Sequence, residues 1–295
     1  MTEADLVYRL KDLAHEHTVV QKSYIGTSYV YALQLINDQA DALLTRTPKV
    51  ATGDGFDISF AGAPSKLMTG FHHGQTLDYA GSNKWFIAVN PGKEGIWDKQ
   101  IGRISFDTTP LTSHTQVPRL ANLDSIDDKP FSLKRVEAAV STTRKYFLIA
   151  AIDNSGNAHF ALYDLPNINK ALDKVESSHG YVDITTIKKI DSFEIPHIAS
   201  VIGQNSIQGF EISDGKAIYI SSGDPGDKTK VAKILWGHTS AKVITLNNSH
   251  WSKYLIETEG LQLGTNMYVN IAYHDKETKG TLQNRIYEFD KNALK

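Results

Sequence analysis

An all-β, five-bladed β-propeller is the fold class this 295-residue sequence predicts, and three observations predict it. The first is a repeat. Five times a Gln or Glu stands in a short polar opening ahead of an aromatic-rich β run, at Gln21, Gln75, Glu137, Gln208 and Glu259. Their spacings of 54, 62, 71 and 51 residues suit a degenerate unit of roughly 40–50 residues carrying insertions, the period of propeller blades. The second is patterning: YVYALQL (29–35), WFIAV (85–89), YFLIAAI (146–152), AIYISS (217–222) and MYVNIAY (267–273) alternate or are rich in β-branched and aromatic residues. The third is turn chemistry: GTS before Tyr29, GSNK before Trp85, DNSGN at 153–157, SDGK at 213–216 and DPGD at 224–227 are built from the residues that tight turns favour.

In chain order, the run LVYRLKDL (6–13) comes before the first repeat. The last repeat has room for only three strands, so residues 6–13 are expected as its fourth, beside 284–289, because a closed propeller must leave no unpaired edge. The competing reading is an amphipathic helix, since Leu6, Leu10 and Leu13 also fit helical spacing. Blade cores are expected at about 18–60, 73–120, 135–194, 205–246 and 257–290, with the whole chain one domain. Third strands fall at QIGRISF (100–106), HFALYDL (159–165), KVAKILW (230–236) and NRIYEF (284–289), and fourth strands at about 56–60, 114–120, 188–194 and 241–246. One short helix is expected in an inter-blade insertion, from Pro166 to about Glu176, with Ile168, Leu172 and Val175 on one face. Residues 107–134 and 177–204 read as long surface connections.

Composition narrows the function. The chain is 41% hydrophobic and 22% charged, which argues against disorder. A formal charge of −2 provides no basic footprint for nucleic acid, and no polybasic run offers attachment to an anionic membrane. No segment approaches the ~20 apolar residues of a membrane span. The absence of cysteine excludes disulfides, thiolate catalysis and cysteine-ligated zinc. The opening MTEADLVYRLKDLAHEHTVVQK has no continuous apolar core of a Sec signal.

On a propeller, the five repeated polar residues converge on the central channel. Gln21, Gln75, Glu137, Gln208 and Glu259 are therefore the candidate site, either as a structural ring that satisfies backbone groups and water or as a ligand-binding ring. His73, Arg135 and Asn205 precede ring residues by two or three positions and are expected at the channel mouth, where charge-assisted hydrogen bonds could hold a polyhydroxylated or acidic ligand. Trp85, Trp97, Trp236 and Trp251 could stack on sugars, although Trp85 and Trp236 lie in expected strands and read as core. The pairs His15/His17 and His72/His73 lack further ligands at metal spacing, and HEH is not HEXXH, so no metal or cofactor is expected. DPGD reads as a turn, not a calcium loop. No nucleophile elbow, P-loop or dinucleotide fingerprint is present. Glu137 and Glu259 are the one pair of carboxylates that could serve a glycosidase.

The segments VVQKSYIGTSYVYALQL, KWFIAVNPGKEGIWDKQIGRI, VEAAVSTTRKYFLIAAIDN, NSIQGFEISDGKAIYISS and YVNIAYHDKETKGTLQNRIYEF resemble the helveticin J family, the large heat-labile bacteriocins of lactobacilli. The resemblance is collinear from about residue 6 to 290, and departs most at 41–70, 107–130 and 223–256. It implies an exported or cell-surface antibacterial protein, monomeric and non-enzymatic, acting on a surface target of related Gram-positive cells, with cell-wall glycan a candidate. The export route would be other than Sec. The family supplies no functional residues to carry over. A lectin-like adhesin that binds glycans without killing is the reading from another class, and a carbohydrate-active enzyme is the third.

Overall fold

A computed structural model describes residues 1–51, 56–92, 97–127 and 129–295. Residues 52–55, 93–96 and 128, which fall in segments singled out above, lie outside the described residues. Five sheets form the blades of a β-propeller. Blade one runs Val20–Ile25, Tyr29–Ile36, Asp41–Pro48 and Ser65–Met68 from the axis outward. Blade two runs Leu77–Gly81, Lys84–Val89, Gln100–Ser105 and Arg119–Ala121, and blade three Leu133–Val140, Tyr146–Asp153, Ala158–Asp164 and Asp191–Ile195. Blade four runs Ile207–Ile212, Ile218–Ser222, Lys230–Ile234 and Ala241–Asn247. Blade five takes Leu255–Leu263, Met267–His274 and Thr281–Phe289 from the end of the chain and Asp5–Lys11 from its beginning.

The N-terminal segment is thus a strand, antiparallel to Thr281–Phe289 with Leu6 opposite Tyr287 and Leu10 opposite Asn284. Its alternation buries Tyr8 and Leu10, and the Tyr8 hydroxyl donates to the Val50 carbonyl at 2.7 Å. Side chains complete the closure. Asn284 accepts from the Val20 amide at 2.9 Å and donates to the Thr18 carbonyl at 3.0 Å, while Gln262 bonds both the amide and the carbonyl of Ile25.

The expected fourth strand at 56–60 is corrected. Phe56–Ser59 is a strand, but it pairs parallel with Asp5–Lys11 as the outermost strand of blade five. Blade one instead finishes with Ser65–Met68, which pairs with Asp41–Pro48, a third strand not anticipated from the sequence. Two other blades gain parallel edge strands the same way, Tyr181–Asp183 on blade two and Thr2–Glu3 on blade four. Borrowed edge strands cover backbone groups that would otherwise template aggregation. In the second blade the expected strand 114–120 is mostly a 3-10 turn at His114–Gln116, and only Arg119–Ala121 pairs.

The main helix covers Leu165–Val175, with Leu165, Ile168 and Leu172 buried and Val175 half-buried. Arg103 in blade two ties it down through Asp173 and Glu176, while Asn169 donates to the Ala80 carbonyl. A second, five-residue helix at Ile198–Ile202 lies in the connection into blade four. The core is five separate clusters, one in each gap between neighbouring blades. Trp85 fills the gap between blades one and two, against Tyr24, Tyr31 and Tyr79. Among the described residues, no helix is long and apolar enough to cross a membrane.

Candidate functional site

The channel is crossed by two layers of side chains, and local backbone irregularities aim them. Gln21, Gln208 and Glu259 each fall in a register shift of an inner strand, between Val20 and Lys22, Ile207 and Gly209, and Thr258 and Leu261. A bulge turns its extra residue away from the regular alternation. Glycine follows two of these bulged residues because the strands come close. A Cβ on Gly209 would sit 2.9 Å from Gly260 Cα, and one on Gly260 would sit 2.8 Å from the Gln21 carbonyl oxygen. Glu137 lies within its inner strand, whereas Gln75 lies just ahead of Leu77–Gly81.

In the first layer, Gln75 donates to Gln208 at 2.5 Å and to Gln21 at 3.3 Å, and Gln21 donates to Glu259 at 3.4 Å. Blades two and four are not neighbours, so the Gln75–Gln208 bond spans the axis. Glu137 joins through Arg135, 3.4 Å away, whose other nitrogen donates to Gln75 at 3.1 Å. Arg135 also donates to the Ile207 carbonyl at 2.7 Å and stacks its guanidinium on Trp97 at 4.9 Å. Burial pushes Glu137 up to about 7, opposed by the positive charges of Arg135 and Lys22. Glu259 is raised well above the usual carboxylate range, by burial first and then by the charges of Glu257, Glu137 and Asp224.

The second layer was not legible in the repeat. Lys22, fully buried, donates to Asp78 at 2.9 Å and to Glu211 at 2.8 Å. Its ammonium links blade one to blade two and, across the axis, to blade four. Asp78 also accepts from the Val140 amide at 2.7 Å, and Thr76 from Ala138 at 2.9 Å, which staples blade two to blade three. Burial raises Asp78, and burial followed by the neighbouring Asp78 charge pushes Glu211 up to about 8. A triad with the proton on Glu211 carries no net charge, the cheapest state for a buried cluster. Only the spacing could have flagged it: Asp78 and Glu211 both stand three residues after a ring glutamine. A third buried acid, Asp98, has no side-chain partner among the described residues, and burial and the Glu137 charge raise its pKa.

Above the ring opens a cavity of about 1170 Å³. Gln21, Gln208 and Glu259 form its floor, while Gln75 and Glu137 do not line it. His73, Arg135 and Asn205 all line it. His73 hydrogen-bonds Gln39 at 2.6 Å and packs edge-on to Trp97, and burial, with Arg135 nearby, pushes its pKa down to about 4. Arg135 is 7% exposed, so its charge is committed to the protein, whereas Asn205 is exposed. The walls come largely from turns and insertions: Asn37, Asp38 and Gln39 of blade one, Asp224 of blade four, and Ile198 and Ala199 of the second helix, with Glu257 from the inner strand of blade five.

Of the four tryptophans only Trp97 lines this cavity. Trp251, expected at the surface, is buried against Tyr287, and Trp236 lies past its strand, bonding Asp191 and packing on Phe193. His17 is bound to the Thr281 carbonyl, and DPGD is a turn closed by the Asp227 amide on the Asp224 carbonyl.

Comparison with known proteins now bears on this architecture. The profile of the bacteriocin helveticin-J family matches residues 2–292. The bacteriocin helveticin-J of Lactobacillus helveticus is 33% identical, over 93% of each chain. The chain belongs to the helveticin-J bacteriocin family. Among solved structures, the catalytic domain of the GH62 α-L-arabinofuranosidase of Coprinopsis cinerea superposes with a TM-score of 0.53 at 6% identity, covering 99% of both chains. A GH62 hydrolase solved in complex with xylotriose gives 0.52 at 6% identity, with 96% of this chain and 97% of that one covered. At such identity the likeness extends to the propeller alone, and the chemistry of this helveticin-J family member must be argued from its own cavity.

Proposed function

We propose that this protein is an exported, non-enzymatic bacteriocin that engages a polyhydroxylated component of the surface of related Gram-positive bacteria through the cavity at the channel mouth. Membership of the bacteriocin family supports the antibacterial role. The observation that carries the binding reading is a roomy cavity with one aromatic face, Trp97, surrounded by planar amides and charged groups, Asn37, Gln39, Asn205 and Asp224 among them. That combination suits sugars, whose apolar faces stack while their hydroxyls hydrogen-bond. Binding is favoured over hydrolysis by the Glu137/Glu259 pair because two glycosidase carboxylates must flank one bond, whereas Glu137 is paired with Arg135 below the floor and does not line the cavity.

The test is killing of, and binding to, a panel of related strains by purified protein, compared with Trp97→Ala and Asn205→Arg. Circular dichroism checks the fold. Both variants should keep the β signal and lose binding and killing together. Wild-type killing by both folded variants would overturn the role of the cavity. Binding without killing on any strain would favour the adhesin. Reducing-sugar release from wall polysaccharide, abolished by Glu137→Gln, would establish the enzyme instead.

A further inference from the structure

The cavity is rich in acids, with Asp38 on blade one and three more on blades four and five. On one side Asp224, Glu257 and Glu259 share a wall assembled from two adjacent blades: the Thr258 amide donates to the Gly223 carbonyl at 2.9 Å, and the Gly226 amide to the Ile256 carbonyl at 3.0 Å. These bonds place Asp224 beside Glu257 and above Glu259. Blade three contributes the positive groups, Lys134, exposed and without a partner among the described residues, and Arg135. The acidic wall has spare acceptors. Glu259 is 1% exposed, and its Oε2 meets no donor among the described residues. Among the described residues, Asp224 receives no side-chain hydrogen bond, and Glu257 is bonded through Oε2 by His274 at 2.7 Å, with no donor to Oε1. A buried carboxylate oxygen facing a cavity without a donor is costly unless a ligand supplies one.

The complement of an acidic wall with an unpartnered buried acceptor is a ligand that brings donors, and most strongly a cationic one. Burial and the neighbouring acids raise the pKa of Glu259, and an incoming primary ammonium, with three donors, favours its ionised form beside Asp224 and Glu257. Resting on the reading of the cavity as a polyol site, we propose that it selects an amino sugar with a free, protonated amine, the ammonium seated on Asp224, Glu257 and Glu259 and the sugar face on the Trp97 side. N-acetylation removes the charge and adds an acceptor carbonyl against acceptors, so the acetylated sugar is the disfavoured form.

Calorimetric titration of the full chain with a β-1,4-glucosamine tetramer and with its fully N-acetylated counterpart tests this. The free-amine tetramer should bind about ten- to a hundredfold more tightly, the range expected for charge-assisted hydrogen bonds. Asp224→Asn and Glu257→Gln should each remove most of that preference, read as the ratio of the two affinities in the same variant. Glu277→Gln, at an exposed acid outside the cavity, should preserve it. Equal binding of the two tetramers would overturn the amine preference and leave the polyol reading standing. A preference that survives both cavity variants would place the ammonium elsewhere and overturn the inference. No binding of either tetramer would remove the polyol reading, and the inference with it.

Discussion

Replacing Lys22 by Met tests what closes the channel. Among the described residues the Lys22 ammonium is the one cation bonded to Asp78 and Glu211, and all three groups are buried. Methionine keeps the length of the side chain and removes the charge, which leaves two carboxyl groups facing each other with no counter-ion. Deleting one partner of a buried pair costs about 3–5 kcal/mol, which for a chain of this size corresponds to a melting temperature lower by about 5–8 °C. The loss has a definite pH sign. Without the lysine both carboxyls are raised further, so the folded state binds protons that the unfolded state releases above about pH 4. The variant is therefore least impaired near pH 5 and worsens as the pH rises to 8. Urea melts at the two pH values, read by tryptophan fluorescence, measure this. Adding Asp78→Asn and Glu211→Gln to Lys22→Met should recover much of the loss, because neutral amides need no counter-ion. A Lys22→Met variant within about 1 kcal/mol of wild type at both pH values would show that the triad is not what closes the axis.

Removal of residues 1–13 strips blade five of its fourth strand, exposing the outer edge of Thr281–Phe289 and leaving Phe56–Ser59 without its partner strand; the truncated chain should melt lower and aggregate, as seen by light scattering. Glu137→Gln should flatten the pH dependence. With its pKa pushed up to about 7, wild-type Glu137 contributes stability that is full below about pH 4 and lost as the pH rises through 7, up to about 3 kcal/mol in all, so parallel urea midpoints against pH in the two proteins would refute the assignment. Gly260→Ala puts a methyl 2.8 Å from the Gln21 carbonyl oxygen and Lys22 Cγ, and should cost about 1–3 kcal/mol in the same urea assay.

Strand identity and order were readable because they depend on local signals. The alternation in YVYALQL and MYVNIAY, the turn residues of DNSGN and SDGK, and the shortage of strands after Glu257 are properties of neighbouring residues, and they led to five blades and the N-terminal closure. The recurring Gln and Glu were readable for the same reason: each sits at a fixed point before its β run. The edge strands carry no such signal. Phe56–Ser59 pairs with Asp5–Lys11 and Tyr181–Asp183 with Arg119–Ala121, in parallel contacts between segments far apart in sequence, and a four-residue run does not announce which sheet edge it will cover. Lys22 is the sharpest case. In KSYI it has the same appearance as any surface lysine at the start of a strand, and only the convergence of Asp78 and Glu211 makes its burial affordable. The wall of Asp224, Glu257 and Glu259 also exists only where blades four and five meet. Backbone conformation is set mainly by nearest neighbours, so the sequence by itself determined the blades and the ring. The fate of a buried charge depends on which distant groups come within a few ångströms of it, so only the tertiary structure decided how the channel is closed and which acids meet at its mouth.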